Sequence, residues 1–273
     1  MATSLSKAQC DHIMKPIRSA ALPALGINRH LSLVVTHAPQ RYQGVGIPEL
    51  WTVQGILKLW VALKHGDAPT ITGNQLRASM ELHTIEIGLP GHLTQQEFSV
   101  YGHLSTKSWL THLWEFCDDS DIQITSTTPM LKLARTDDTF LMSTFAAFGY
   151  RKKQLKQLNV CRLFCHATRI SDITTGDGKR IHAESWKGQV TDSAGTEYEW
   201  PVQGRPTKQA WDLWRAAIRS CYLTLHHEQQ QLRQPLGNWI GDTPQNWQWF
   251  FSPTQDRVYQ YIQKTREYNI FSI

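Results

Sequence analysis

The chain has 273 residues, of which 41% are hydrophobic, enough to bury the core of one large domain or two packed ones and to exclude a disordered protein. No run approaches the roughly 20 apolar residues of a membrane helix, and the opening MATSLSKAQCDHIMKPI lacks the apolar centre of a secretory signal, so a soluble intracellular protein of the nucleus or cytoplasm is expected. Five scattered cysteines, an odd number, point to reduced thiols rather than a disulfide framework, and the net charge of +5 is only mildly basic.

Taken in chain order, apolar residues recur three and four apart in Leu5 to Leu22, Trp51 to Lys64, Asn74 to Ile87 and Thr106 to Phe116, which predicts four helices. Before the second lies Arg41 to Leu50, RYQGVGIPEL, where two glycines permit a tight turn and Pro48 fits a first helical turn that needs no N–H. Thr72 or Asn74 is a candidate cap for the third helix and Ser105 for the fourth. Shorter helices are expected over Thr139 to Phe148 and Lys152 to Leu158, with Gly149 as the stop between them. After Asn159 the strings VCRLFCHATRISDI, ESWKGQV, GTEYEW and RVYQYIQKTREYNIF suggest extended segments, with TTGDGKR as a turn. One helix interrupts them, from Thr207 as cap to about His227, with Trp211, Trp214, Ala217, Ile218, Cys221 and Leu225 along one side. The expected fold is therefore α+β: a helical bundle over 1–158, then a smaller, mixed α/β, tryptophan-rich part over 159–273.

RYQGVGIPEL and the later strings TGNQLRASMELHTIEIGL, YGHLSTKSWLTHLWEF, RISDITTGDGKRI, WPVQGRPTKQAWDLWRAAI, LRQPLGNW and WQWFFSPTQDRVYQ share an order with a known region. Together they resemble the segment that follows the reverse transcriptase domain in polyproteins of non-LTR retrotransposons and retrotransposon-like eukaryotic proteins. The resemblance implies a place in a larger parent protein and, as partners, RNA or DNA or a reverse transcriptase. It carries no catalytic residue and no cofactor across.

Charge is distributed unevenly. Between Thr139 and Ser171 there is no acidic residue, while Arg151, Lys152, Lys153, Lys156, Arg162 and Arg169 are basic. Arg151, Lys152, Lys153 and Lys156, together with Arg205, Lys208, Arg215 and Arg219 further on, form the candidate phosphate-binding set. The competing reading is a solvated helix face with no ligand.

Three constellations could carry other chemistry. Phe116-Cys117-Asp118-Asp119 has the aromatic-x-Asp-Asp form that binds magnesium in polymerases, but helical spacing leads into it and no partner aspartate precedes it, so an acidic turn after a helix is expected. Cys161, Cys165 and His166 are zinc-type ligands without a fourth, and read as structural cysteines sharing a strand face with Leu163. Asp172, Asp177 and Glu184 would serve a metal-dependent nuclease or transferase if they converged, whereas Asp177-Gly178 is also a turn dipeptide. No P-loop, HExxH, GxSxG or dinucleotide fingerprint occurs. Seven of the eleven tryptophans follow Ala183 and are read mostly as core, with one or two exposed. A protein interaction module or an inert relic is the remaining alternative.

Overall fold

A computed structural model describes residues 4–125, 131–188, 200–201, 204–224 and 230–240, together with the backbone of three strands within 249–272. Ten α-helices lie in the described residues: α1 Lys7–Ala24, α2 Leu33–His37, α3 Leu50–His65, α4 Ile71–Ile87, α5 Phe98–Tyr101, α6 Trp109–Asp119, α7 Leu141–Ala147, α8 Lys152–Phe164, α9 Ala183–Lys187 and α10 Lys208–Tyr222. The chain divides into two compact units. Residues 1–80 and 93–125 form the first, and residues 81–92 and 126–273 the second, so the chain crosses from one to the other within α4.

The helices start where local hydrogen bonding can satisfy their first N–H groups. Ser6 caps α1 by accepting from the Gln9 N–H while the Gln9 side chain answers the Ser6 N–H at 2.8 Å. Thr70, not Thr72 or Asn74, caps α4 by accepting from the Gly73 N–H at 3.1 Å. The cap of α6 is Ser108 rather than Ser105, because residues Gly102–Leu104 close a 3-10 turn first, and Ser108 and Thr111 then exchange bonds. Gly149 ends α7 at φ +82, a left-handed conformation that other residues adopt at a cost, and the Tyr150 N–H closes back on the Phe145 carbonyl.

In the first unit Cys10, Trp51, Leu76, Leu110, Leu113, Phe116 and Cys117 form a buried cluster. Trp51 meets Phe116 edge to face at 6.2 Å. Gly55 of α3 lies so close to that ring that a Cβ there would come within 2.3 Å of Phe116. Trp114 is wholly buried, donates its indole N–H to the Gln96 carbonyl at 2.7 Å and packs edge to face on Phe98.

In the second unit α7, α8 and α10 pack on one another around Leu141, Met142, Phe145, Leu155, Leu158, Cys161, Trp214, Ala217 and Ile218. Phe145 meets Trp214 at 5.9 Å and Phe164 meets Trp211 at the same distance. A fully buried guanidinium ties this helix group to the end of α4. Arg162 donates to the Ile85 and Glu86 carbonyls at 2.6 and 2.8 Å, to Ala167 O at 3.0 Å and to Asn159 Oδ1 at 2.8 Å. Those α4 carbonyls belong to the last turn, where no intrahelical donor remains.

The fold is mostly α, which corrects the α+β expectation. From 159 to 240 the described residues hold helices, turns and isolated bridges, with no strand. The segment read as extended from Val160 onward instead continues α8 to Phe164, because Asn159 is accommodated inside the helix: its amide donates to Glu86 O at 2.8 Å and its carbonyl receives Arg162. Residues 183–187 of the ESWKGQV region form α9, while GTEYEW before Trp200 lies outside the described residues. The helix α10 begins after its cap Thr207, as its spacing predicts, but stops at Tyr222, since Leu223 turns extended and pairs with Leu232; Leu225 and His227 lie outside the described residues. Among the described residues, strand backbone is confined to a terminal antiparallel meander: β1 Trp249–Ser252, β2 Arg257–Ile262 and β3 Glu267–Ser272, in which Phe250 pairs with Tyr259 and Tyr259 with Ile270. Among the described residues, no helix is long and apolar enough to cross a membrane.

Candidate nucleic-acid interface

The helix α8 separates its residues by character. Leu155 and Leu158 are buried, while Arg151, Lys152, Lys153 and Lys156 are exposed, with Lys156 one turn along from both lysines that precede it. Arg151 is the cap residue, and its N–H donates to Gln154 Oε1 at 3.0 Å. Lys152 and Lys153 thus occupy the first turn, the positive end of the helix dipole, where each cation costs about 0.3–1 kcal/mol. No carboxylate lies in that turn to offset the cost.

The partner helix α10 runs antiparallel to α8. Phe164, at the end of α8, meets Trp211 near the start of α10, whereas Tyr150, just before α8, lies close to Ser220 and Cys221 near the end of α10. This packing divides the eight candidate cations. Arg219 is exposed and lies at the end occupied by Arg151 and the lysines, with its guanidinium 5.6 Å from the centre of the half-buried Trp186 ring. Arg215, half-buried in the middle of α10, is ion-paired with Asp212 at 2.6 Å. Lys208 opens α10 and Arg205 precedes it, both exposed but at the far end of the helix, about 20 Å from the α8 cations by the 1.5 Å rise per residue. Arg151, Lys152, Lys153, Lys156 and Arg219 share an end; Arg205, Lys208 and Arg215 do not join them.

Arg233 is a cation at this end that sequence reasoning missed. It donates to the Ser220 and Leu223 carbonyls at 3.4 and 3.3 Å, where a positive charge suits the negative end of α10. It arrives by a backbone return, with Leu223 paired to Leu232 and the Arg233 N–H bonded to Tyr222 O. No local pattern around Arg233 announces that contact.

The other constellations are occupied by structure. Phe116 and Cys117 are buried at the end of α6, Asp118 accepts from the Phe98 N–H at 3.2 Å, and Asp119 pairs with Lys7 at 2.7 Å, so this motif is a helix end and turn. Cys161 and Cys165 lie one turn apart at the end of α8, not along a strand, and burial pushes both thiols up to about 12. His166 stacks on Trp200 at 5.2 Å. Asp172 accepts from the Thr168 and Arg169 N–H groups and pairs with Arg169 at 3.1 Å. Asp177 accepts from the Thr175 hydroxyl at 2.6 Å and the Lys179 N–H at 3.0 Å. Burial works against its charge, but these bonds and the neighbouring Lys179 and Arg180 bring its carboxyl below the usual value. Glu184 stands in the first turn of α9. Among the described residues, no three His, Cys, Asp or Glu side chains gather in a group that could hold a metal.

The tryptophans divide similarly. Trp211 and Trp214 are core at 8% and 1% exposure, whereas Trp239 is 43% exposed beneath the Arg135 guanidinium; Trp247 and the side chain of Trp249 lie outside the described residues.

No family model matches the chain, and comparisons with curated proteins and with solved structures find no match, so the likeness to a post-polymerase segment rests on the sequence blocks alone.

Proposed function

We propose that this chain is a non-catalytic accessory module that binds the nucleic-acid backbone, in the manner of a retrotransposon-derived segment that supports a reverse transcriptase. The observation supporting this reading is the set of five exposed cations at one end of the α8–α10 pair: Arg151, Lys152, Lys153, Lys156 and Arg219. No acidic residue interrupts the chain between Thr139 and Ser171. Such a set contacts phosphates and positions the strand, without reading bases. Trp186 beneath Arg219 adds an aromatic face of the kind on which an unpaired base stacks.

The test is a fluorescence anisotropy titration of the chain against single- and double-stranded RNA and DNA across a salt series. If all five cations contact phosphates, the duplex affinity falls with a log–log slope of about −4.5, or roughly 500-fold between 50 and 200 mM salt. Replacing Arg151, Lys152, Lys153 and Lys156 by alanine reduces that slope to about −1. Absence of binding by the folded protein at low salt, or a slope unchanged in the variant, refutes the reading.

A further inference from the structure

The helix α3 is apolar on two sides. Trp51, Gly55, Lys58 and Ala62 face inward, while Val53, Ile56, Leu57, Trp60 and Leu63 form a second stripe that is 41% to 62% exposed. Spacings of three and four place those five side chains on one face of a helix about 24 Å long. A surface helix ordinarily keeps its outward face polar, and one that is apolar all round is ordinarily buried. At about 100 Å² each, the five side chains present roughly 500 Å² of apolar surface, near the upper end of the largest patch on a typical monomer.

We infer that this stripe is the interface of a symmetric homodimer in which two α3 helices pack antiparallel. The inference is independent of the nucleic-acid reading, since it concerns the first unit and none of the α8 cations.

Three features select a second copy as the occupant. The stripe is nearly palindromic: about a two-fold axis level with residue 58, Val53 of one copy meets Leu63 of the other and Ile56 meets Trp60, pairing a smaller side chain with a larger one each time. The charges at its ends are opposite, with Glu49 just before the helix and Lys64 in its last turn, so antiparallel packing brings Lys64 of each copy within a helical turn of Glu49 of the other. A parallel arrangement would align like charges and like dipole ends. Finally, the stripes of two copies together bury about 1,000 Å², the lower bound for a biological interface and the range of weak, reversible ones.

Sedimentation equilibrium on the full chain between about 1 and 100 µM tests this. The wild type should show a reversible monomer–dimer equilibrium. Leu57→Glu should raise the dissociation constant roughly 100-fold, with the far-UV circular dichroism unchanged, since Leu57 is 59% exposed and lies outside the buried cluster of this unit and the apolar residues packed against it. Glu49→Lys and Lys64→Glu should each weaken the dimer at low salt, and the double variant should restore it, a result that mere loss of structure cannot produce. A wild type that stays monomeric throughout, a dimer indifferent to Leu57→Glu, or a double reversal no tighter than the singles overturns the proposal.

Discussion

Replacing Arg162 by methionine removes the guanidinium that closes the end of α4 onto α8. Four acceptors lose a donor: the carbonyls of Ile85, Glu86 and Ala167 and the side-chain oxygen of Asn159. Glu86 O retains the Asn159 amide at 2.8 Å, so three are left unsatisfied, at about 1–3 kcal/mol each. Against this stands the relief of a buried charge, whose burden is visible in the way burial pushes the guanidinium down to about 9; exchange of such a charge for an apolar side chain returns about 1–4 kcal/mol. The balance is a loss of about 3 kcal/mol, a large share of the 5–15 kcal/mol that keeps a domain folded. Urea unfolding followed by far-UV circular dichroism reads it as a midpoint lower by about 1.5 M, taking a slope near 2 kcal/mol per M. Arg162→Lys should behave much like the methionine variant, because an ammonium on a flexible stem cannot span the same fork of acceptors. A midpoint shift below about 0.3 M in the methionine variant would refute the clamp, since it would mean the three acceptors find other donors at almost no cost.

Two further perturbations concern the first unit. Lys58 is 9% exposed, its Nζ has no hydrogen-bond partner, and burial pushes its pKa down to about 8. Between pH 8 and the ordinary lysine value of 10.5 the unfolded chain binds more protons at this position than the folded one, so the Lys58 contribution to stability rises with pH across that window. Lys58→Met should raise stability at pH 7 by about 1–2 kcal/mol, and the advantage over wild type should shrink as pH approaches 10. Thermal melts of both proteins from pH 7 to 10 measure the difference, and a constant gap would contradict the assignment. Gly55→Ala should destabilise by about 1–2 kcal/mol despite alanine's better helix propensity, because the new Cβ meets the buried Phe116 ring at 2.3 Å. A melting temperature equal to or above the wild type's would show that Phe116 can yield.

What the sequence makes legible here is local. The helices α1, α3, α4, α6 and α10 follow from apolar residues three and four apart, and the cap at Thr207 from its place before KQAW, since both signals lie within a few neighbouring residues. The sequence reading stops α8 at Leu158 because strand-forming residues, VCRLFCHATRISDI, follow Asn159 and nothing local shows that Asn159 has a partner. Its actual partner is the Glu86 carbonyl, 73 residues away, and with that bond the helix continues to Phe164 where a strand is expected. The same limit applies to the charges. That Arg151 to Lys156 is basic can be read directly, but whether Arg205 or Arg219 belongs with it depends on which end of α10 meets Tyr150, and that is decided by the ring contact between Phe164 and Trp211 and by Tyr150 lying close to Ser220. Arg233 joins through a backbone return that no local pattern encodes. The α3 stripe is the instructive intermediate case. Its residues were all in view, yet a periodicity that counts only one apolar face takes Trp51 and Ala62 as the core side and passes over Val53, Ile56, Leu57, Trp60 and Leu63. Once burial assigns the first set inward, the second requires its own explanation, because water is a costly neighbour for five large apolar side chains on one helix.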